Sequence, residues 1–122
     1  MSRRLQLIRQ YYQDIDLSRL DEVMAIFSEA AVYQRADVCF SGRREIEHFF
    51  RVERQIRGRH VVEKICEDAV TGTVTALGKF DGVGAKGDPR TVGFADFWQF
   101  DAKGFVSGRT TYLALGHQFV QA

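Results

Sequence analysis

Asp96 stands inside an otherwise apolar run, GFADFWQFD over residues 93–101, between Phe94, Ala95, Phe97, Trp98 and Phe100. An ionised carboxylate in such surroundings is costly unless it is paired or hydrogen-bonded. Failing that, its pKa rises and it keeps its proton at neutral pH. The first state suits a base or a salt-bridge partner, and the second a general acid.

Strand alternation sets what Asp96 shares a face with. Phe94, Trp98 and Phe100 accompany it, and on the last apolar run Arg109, Thr111 and Leu113 share a face with Tyr112 opposite. Facing each other, these residues wall an aromatic cavity around one carboxylate, the kind of concave site that takes a small hydrophobic molecule. If Arg109 lies beside Asp96, the carboxylate stays ionised; away from Arg109, burial makes it an acid. His60, opening a strand in GRH, is either a proton shuttle for Asp96 or a strand-end residue in solvent, and spacing does not decide between them. Tyr11, off the main apolar stripe of its helix, and Tyr33 are each either a donor into the cavity or a core tyrosine. His48 sits among charged residues and is expected at the surface. His117 is expected to cover the cavity mouth or to fray.

The elements that must carry these groups fall into two halves. Leu5, Ile8, Tyr12 and Ile15 form one helical stripe. A second helix is expected after Ser18 as N-cap, with Leu20, Val23, Met24 and Phe27 inward. A short strand, AAVYQR, precedes a third helix opening at Ser41 or Gly42, with Ile46, Phe49, Phe50 and Ile56 inward. From His60 onward, HVVEKICED, GTVTALGKF, RTVGFADFWQF and FVSGRTTYLAL read as strands joined by short turns. Helices followed by hairpin-linked strands predict an α+β class, three N-terminal helices on a curved antiparallel sheet, in one domain over residues 1–122.

Composition narrows the function classes. A formal charge of +1 implies neither a nucleic-acid footprint nor an acidic-partner surface. Arg51, Arg54, Arg57 and Arg59 alternate with Glu45, Glu47 and Glu53 and read as a solvated helix face. Without a basic stripe beside it, Trp98 reads as a cavity wall and not a stacking platform for bases. Cys39 and Cys66 are too few for a zinc site and read as free thiols in a cytoplasmic protein. No apolar run reaches transmembrane length, and MSRRLQLIRQ is too polar for a signal peptide. GVGAKG, residues 82–87, spells a dinucleotide fingerprint, but Asp88-Pro89 and a strand follow where the phosphate-binding helix should start.

The order of YYQDIDLSRLDEVMAIFSEAAVYQR, SGRREIEHFF and GFADFWQFDAKGFVSGRTTYL resembles the nuclear transport factor 2-like superfamily, with its ketosteroid isomerases and SnoaL-like polyketide cyclases. The resemblance spans nearly the whole chain and implies a cystatin-like cone. It places Asp96 where those isomerases keep an oxyanion-binding acid and the cyclases their catalytic aspartate. Tyr11 matches the isomerase tyrosine that shares the oxyanion. The isomerase base on the first strand corresponds to Gln34, which cannot accept a proton at neutral pH. Asp37 substitutes only if its loop turns inward. The epoxide-hydrolase branch is echoed by Lys79 and Asp81, with Thr111 at the position of its last-strand aspartate.

Three functions follow as expectations. The first is cofactor-free acid/base isomerisation, cyclisation or dehydration of a small hydrophobic carbonyl compound, with Asp96, His60 and Tyr11 catalytic. Phe94, Trp98, Arg109, Thr111, Leu113, Tyr33 and Gln34 would bind the substrate, without a metal. The second is a non-catalytic ligand-binding or dimerisation domain. The third is epoxide hydrolysis, which requires Lys79 and Asp81 to face inward. A homodimer through the sheet is expected from the resemblance and from apolar side chains on both sheet faces.

Overall fold

The computed structural model describes residues 2–114, so His117 lies outside the described residues. Helix α1 (Arg3–Asp16) starts at Ser2, whose hydroxyl accepts from the Leu5 amide at 3.1 Å, a cap worth about 1 kcal/mol. Ile8, Tyr12 and Ile15 are buried as their spacing predicts, and Tyr11 is buried beside them. Adjacent helical positions differ by about 100°. For Tyr11 and Tyr12 both to be covered, the sheet must embrace a broad arc of α1.

Helix α2 (Leu20–Ala25) departs from expectation at both ends. Its N-cap is Arg19, which makes no side-chain cap, while Ser18 takes the left-handed conformation at φ 56° as the chain reverses. Asp21 and Glu22 still favour the first turn electrostatically. Phe27, expected on this helix, opens strand β1 (Phe27–Arg35) and is buried there. Strand β2 (Val38–Ser41) is mostly exposed and lacks the alternation that would announce it.

Gly42, at φ 92°, leads into α3 (Arg43–His48), which widens into a π-helical turn over Phe49–Glu53. The wide turn buries consecutive phenylalanines, Phe49 and Phe50, and such turns often mark functional sites. Ile56, expected on the third helix, lies beyond it but still lines the cavity beside Tyr11 and Asp96.

The remaining strands are β3 (Arg57–Glu67), β4 (Val74–Val83), β5 (Pro89–Phe100) and β6 (Val106–Ala114). They form one six-stranded sheet in the order β2-β1-β6-β5-β4-β3. The α+β architecture is the expected one, but the sheet is mixed: β1 runs parallel to β6. The helical segment between β2 and β3 carries the chain across, so β1 is left to pair with the last strand. GVGAKG closes the β4–β5 hairpin, with the Gly84 amide donating to the Asp88 carbonyl at 2.8 Å; a strand follows it, as its sequence context predicts.

The helices cover the sheet face that carries Val74, Ala76 and Phe80 of β4, Phe94 and Trp98 of β5, and Val106 of β6. A register shift between Val62 and Lys64 bulges β3 against β4, and bulges bend a sheet. At this bulge Gly78 lies so close to β3 that a Cβ would fall 2.0 Å from the Val61 carbonyl oxygen. Trp98, fully buried, packs edge-on against Tyr11 with centroids 4.7 Å apart. The cavity lies next to this contact.

Candidate active site

The site is built where β5 and β6 pair beneath α1. Asp96 and Thr111 are register partners, and Trp98 opposes Arg109. All four side chains point to the covered face and are buried. Asp96 is 1% exposed, so its charge must be met by protein groups.

Four donations meet it. Tyr12 donates its hydroxyl to Asp96 Oδ2 at 2.6 Å, and Arg109 reaches Oδ2 through Nη2 at 3.0 Å and Oδ1 through Nε at 3.4 Å. The Thr111 hydroxyl donates to Oδ1. Of the two placements open to Asp96, the one beside Arg109 is observed.

The direction of each remaining proton follows. Thr111 has given its proton to Asp96, so Tyr33, 3.2 Å away, donates to the Thr111 oxygen. Trp98 Nε1 donates to the Tyr12 oxygen at 3.1 Å. Arg109 Nη1 donates to the Tyr11 oxygen at 2.6 Å. Each hydroxyl has one proton to give. Those of Tyr12, Tyr33 and Thr111 are spent on this network. Tyr11 O–H has no acceptor among the described residues, and Tyr11 lines the cavity.

Burial and charge tune these groups. Burial pushes Tyr11 up to about 12, partly opposed by the Arg109 guanidinium. Tyr12 is raised well above the ordinary tyrosine value by burial and then by the Asp96 charge. Both therefore keep their protons at neutral pH. Burial alone pulls Arg109 down, but Asp96 and the surrounding tyrosine oxygens outweigh it, and Arg109 is held well above the ordinary arginine value. Its guanidinium also lies 4.3, 4.6 and 4.8 Å from the ring centroids of Trp98, Tyr33 and Tyr11. Such desolvated cation–π contacts contribute up to about 2 kcal/mol each.

The cavity of about 80 Å³ holds Tyr11, Asp96, Arg109 and His60 in its wall, with Phe80 and Phe94 supplying apolar surface. The same wall carries His60, which pairs with Asp16. His60 Nδ1 is 2.6 Å from Asp16 Oδ1, and the His60 amide donates to Asp16 Oδ2 at 2.8 Å. A carboxylate only accepts, so Nδ1 carries a proton, and in the neutral imidazole the lone pair is then on Nε2. The His60 ring is fixed against Phe80, Phe94 and Tyr12, with centroids 4.8, 5.4 and 5.4 Å apart.

No family model matches this chain, and no curated protein matches it. Solved structures do. A nuclear transport factor 2-like protein of unknown function from Burkholderia pseudomallei superposes with a TM-score of 0.83 at 20% identity, covering 93% of this chain and 92% of that one. A proposed SnoaL-like polyketide cyclase from Shewanella putrefaciens superposes at 0.78 and 13% identity, covering 100% and 99%. A hypothetical protein with a ketosteroid isomerase-like fold from Catenulispora acidiphila, in complex with trimethylamine, superposes at 0.75 and 14% identity, covering 89% and 85%. The chain has the nuclear transport factor 2-like fold. At these identities the likeness extends to the fold and not to the reaction.

On this nuclear transport factor 2-like scaffold most of the residues singled out by sequence do converge. Tyr11, Tyr33, His60, Phe94, Asp96, Arg109, Thr111 and Leu113 all line the cavity. Trp98 does not; it is buried one layer behind, under the Arg109 guanidinium. Gln34 is also outside the cavity: it lies on β1 between Tyr33 and Arg35, which line it, so alternation turns it to the other face, and its amide donates to the Ala36 carbonyl at 3.1 Å. Asp37 is exposed and does not turn inward. Lys79 and Asp81 are exposed on β4, since Gly78 before them and Phe80 between them take the inward positions. That removes the inward Lys79 and Asp81 that epoxide hydrolysis would require. His60 meets Asp16, and no hydrogen bond joins it to Asp96.

Tyr12, Asp16, Arg35 and Arg54 belong to the site and were not legible as such. Tyr12 is indistinguishable in sequence from the apolar stripe it completes. Arg51 does pair with Glu47 and Asp21 on the solvated face, but Arg54, three residues on, lies past the π-helical turn and faces the cavity. A useful signal was available for Tyr12 alone: a buried aspartate requires donors, and a tyrosine on the covering helix is the natural supplier.

Proposed function

We propose that the protein catalyses proton transfer on a small carbonyl compound, as in isomerisation, cyclisation or dehydration. His60 takes the proton at Nε2, held in that tautomer by Asp16. Tyr11 donates its unspent O–H to the carbonyl oxygen as negative charge develops there, with Arg109 polarising the phenol from behind. Preorganised donors of this kind are among the largest contributions to catalysis, and a positioned base adds about 10²- to 10⁴-fold. No organic cofactor is needed for these steps.

Asp96 has a positioning role in this reading. Its two oxygens already take four donations, so it holds Arg109, and through Arg109 the Tyr11 hydroxyl. The observation that carries the proposal is that Tyr11's free O–H and the Asp16-backed His60 line one cavity. Saturation of Asp96 also favours a second reading, a binding domain without turnover.

Enolisation separates the two. Exchange of α-protons for deuterium in acetophenone and cyclohexanone, followed by NMR, should proceed faster with the protein than in buffer. His60→Asn should lower that rate by about 10²-fold or more, and Tyr11→Phe should lower it too. Exchange no faster than buffer, or unchanged in His60→Asn, would leave the binding domain.

We further propose a homodimer through the uncovered sheet face, supported by exposed Leu77, Phe97 and Tyr112 on adjacent strands.

A further inference from the structure

The cavity wall carries three guanidinium groups, Arg35, Arg54 and Arg109, against the single carboxylate of Asp96. Asp96 is already spent on Arg109. The nearby acid, Asp16, is spent on His60. Among the described residues no carboxylate pairs with the Arg54 or Arg35 side chain, and residues 115–122 contain no aspartate or glutamate. Arg35 has instead the Phe49 ring, 5.5 Å from its guanidinium carbon.

Arg54 is the more telling of the two. The π-helical turn ends on it, its amide donating to the Phe49 carbonyl at 2.8 Å, and the side chain is half-buried in the cavity wall. Burial draws its proton affinity below the ordinary arginine value, and Arg57 and Arg109 repel it further, with the Tyr11 oxygen acting the other way. A guanidinium in that position is short of an anion, and removing it from water is costly unless one arrives. The planar fork of arginine matches a carboxylate two hydrogens to two oxygens.

We propose that the ligand of this cavity is a small carboxylate, an oxo acid whose carboxylate is bound by Arg54 and Arg35 at the opening. Its apolar body lies against Phe80 and Phe94, and its carbonyl reaches Tyr11. The last placement rests on the proton-transfer reading; the carboxylate subsite does not. A cavity of about 80 Å³ restricts the body to a few carbon atoms or a single ring.

Binding to the full chain, measured by ligand-observed NMR, tests this without any turnover. The probes are benzoate with its neutral isostere benzamide, and cyclohexanecarboxylate with cyclohexanecarboxamide. Each acid should bind at least about tenfold more tightly than its amide, the worth of a charge-assisted hydrogen bond. Arg54→Gln, and to a smaller extent Arg35→Gln, should erase that difference while leaving the weak amide binding in place. Equal binding of acid and amide would overturn the proposal. So would a preference for the acid that survives in both variants, or no binding of either acid at millimolar concentration. His60→Asn should leave acid binding intact, so a failed proton-transfer reading and a failed carboxylate subsite give different results.

Discussion

Arg109 reaches Asp96 diagonally across the β5–β6 ladder, with Nη2 3.0 Å from Oδ2, although the register pairs Asp96 with Thr111 and Trp98 with Arg109. The diagonal leaves Thr111 free to bind the other carboxylate oxygen and lays the guanidinium over the Trp98 ring. One buried charge pair is thus enclosed by donors and by aromatic faces.

Breaking that pair from one side should be expensive. Asp96→Asn leaves a buried Arg109 without its counter-ion, and we expect a loss of about 3–5 kcal/mol in urea unfolding. Replacing both members with apolar side chains, Asp96→Leu with Arg109→Met, should cost less than the two single changes added together. Simple additivity would contradict the pairing.

Tyr12→Phe removes a donor from Asp96 and the acceptor of the Trp98 indole in one step. The expected loss is about 1–3 kcal/mol. Trp98 is the chain's single tryptophan, so its fluorescence reports the change directly. Its emission should shift to shorter wavelength in Tyr12→Phe and remain in place in the exposed-site variant Tyr112→Phe.

Stability should fall at alkaline pH for a defined reason. The folded protein holds the Tyr11 proton to about 12 against an ordinary value of 10.0, and Tyr12 is shifted in the same direction. A group raised on folding stabilises fully below its unfolded pKa and ceases to do so as pH climbs through the folded one. The Tyr11 contribution, on the order of 2 to 3 kcal/mol, is therefore present below pH 10 and lost between about 10 and 12. Urea midpoints across this window should drop in the wild type and drop less in Tyr11→Phe.

Asp16→Asn keeps the His60 ring in place but supplies an amide where a carboxylate had set the tautomer. The enolisation rate should fall on the order of 10²-fold or more, as when the carboxylate behind other catalytic histidines is neutralised. An unchanged rate would mean that Asp16 does not orient the base.

Phe97 and Tyr112 touch edge to face on the uncovered side of the sheet, with centroids 5.8 Å apart. If that face pairs two copies, Phe97→Glu should convert dimer to monomer in sedimentation equilibrium with little change in far-UV circular dichroism. A wild type that sediments as a monomer would refute the pairing.

Much of this was legible in the chain itself, for reasons that are local. Period-two alternation places Phe94, Asp96 and Trp98 on one face of β5 wherever that strand goes, and period-3.6 spacing buries Ile8, Tyr12 and Ile15. Turn residues separate the strands, so the element order could be read with few errors. Those errors fell where a boundary depends on what packs above it, as at Phe27, which joins a strand and not a helix. The partners of the charged groups were of another kind. Tyr12 meets Asp96 from 84 residues away, Tyr11 meets Arg109 from 98, and Asp16 meets His60 from 44. No local pattern encodes which of two neighbouring tyrosines bonds the acid and which keeps its proton for the cavity. Nor does any encode that Arg54 leaves the solvated face just past a π-helical turn. Sequence alone determined that Asp96 would be buried and in need of partners. Only the tertiary structure, by closing α1 over the β5–β6 pair, decided that Arg109, Tyr12 and Thr111 would satisfy it and leave Tyr11 and His60 facing the open space.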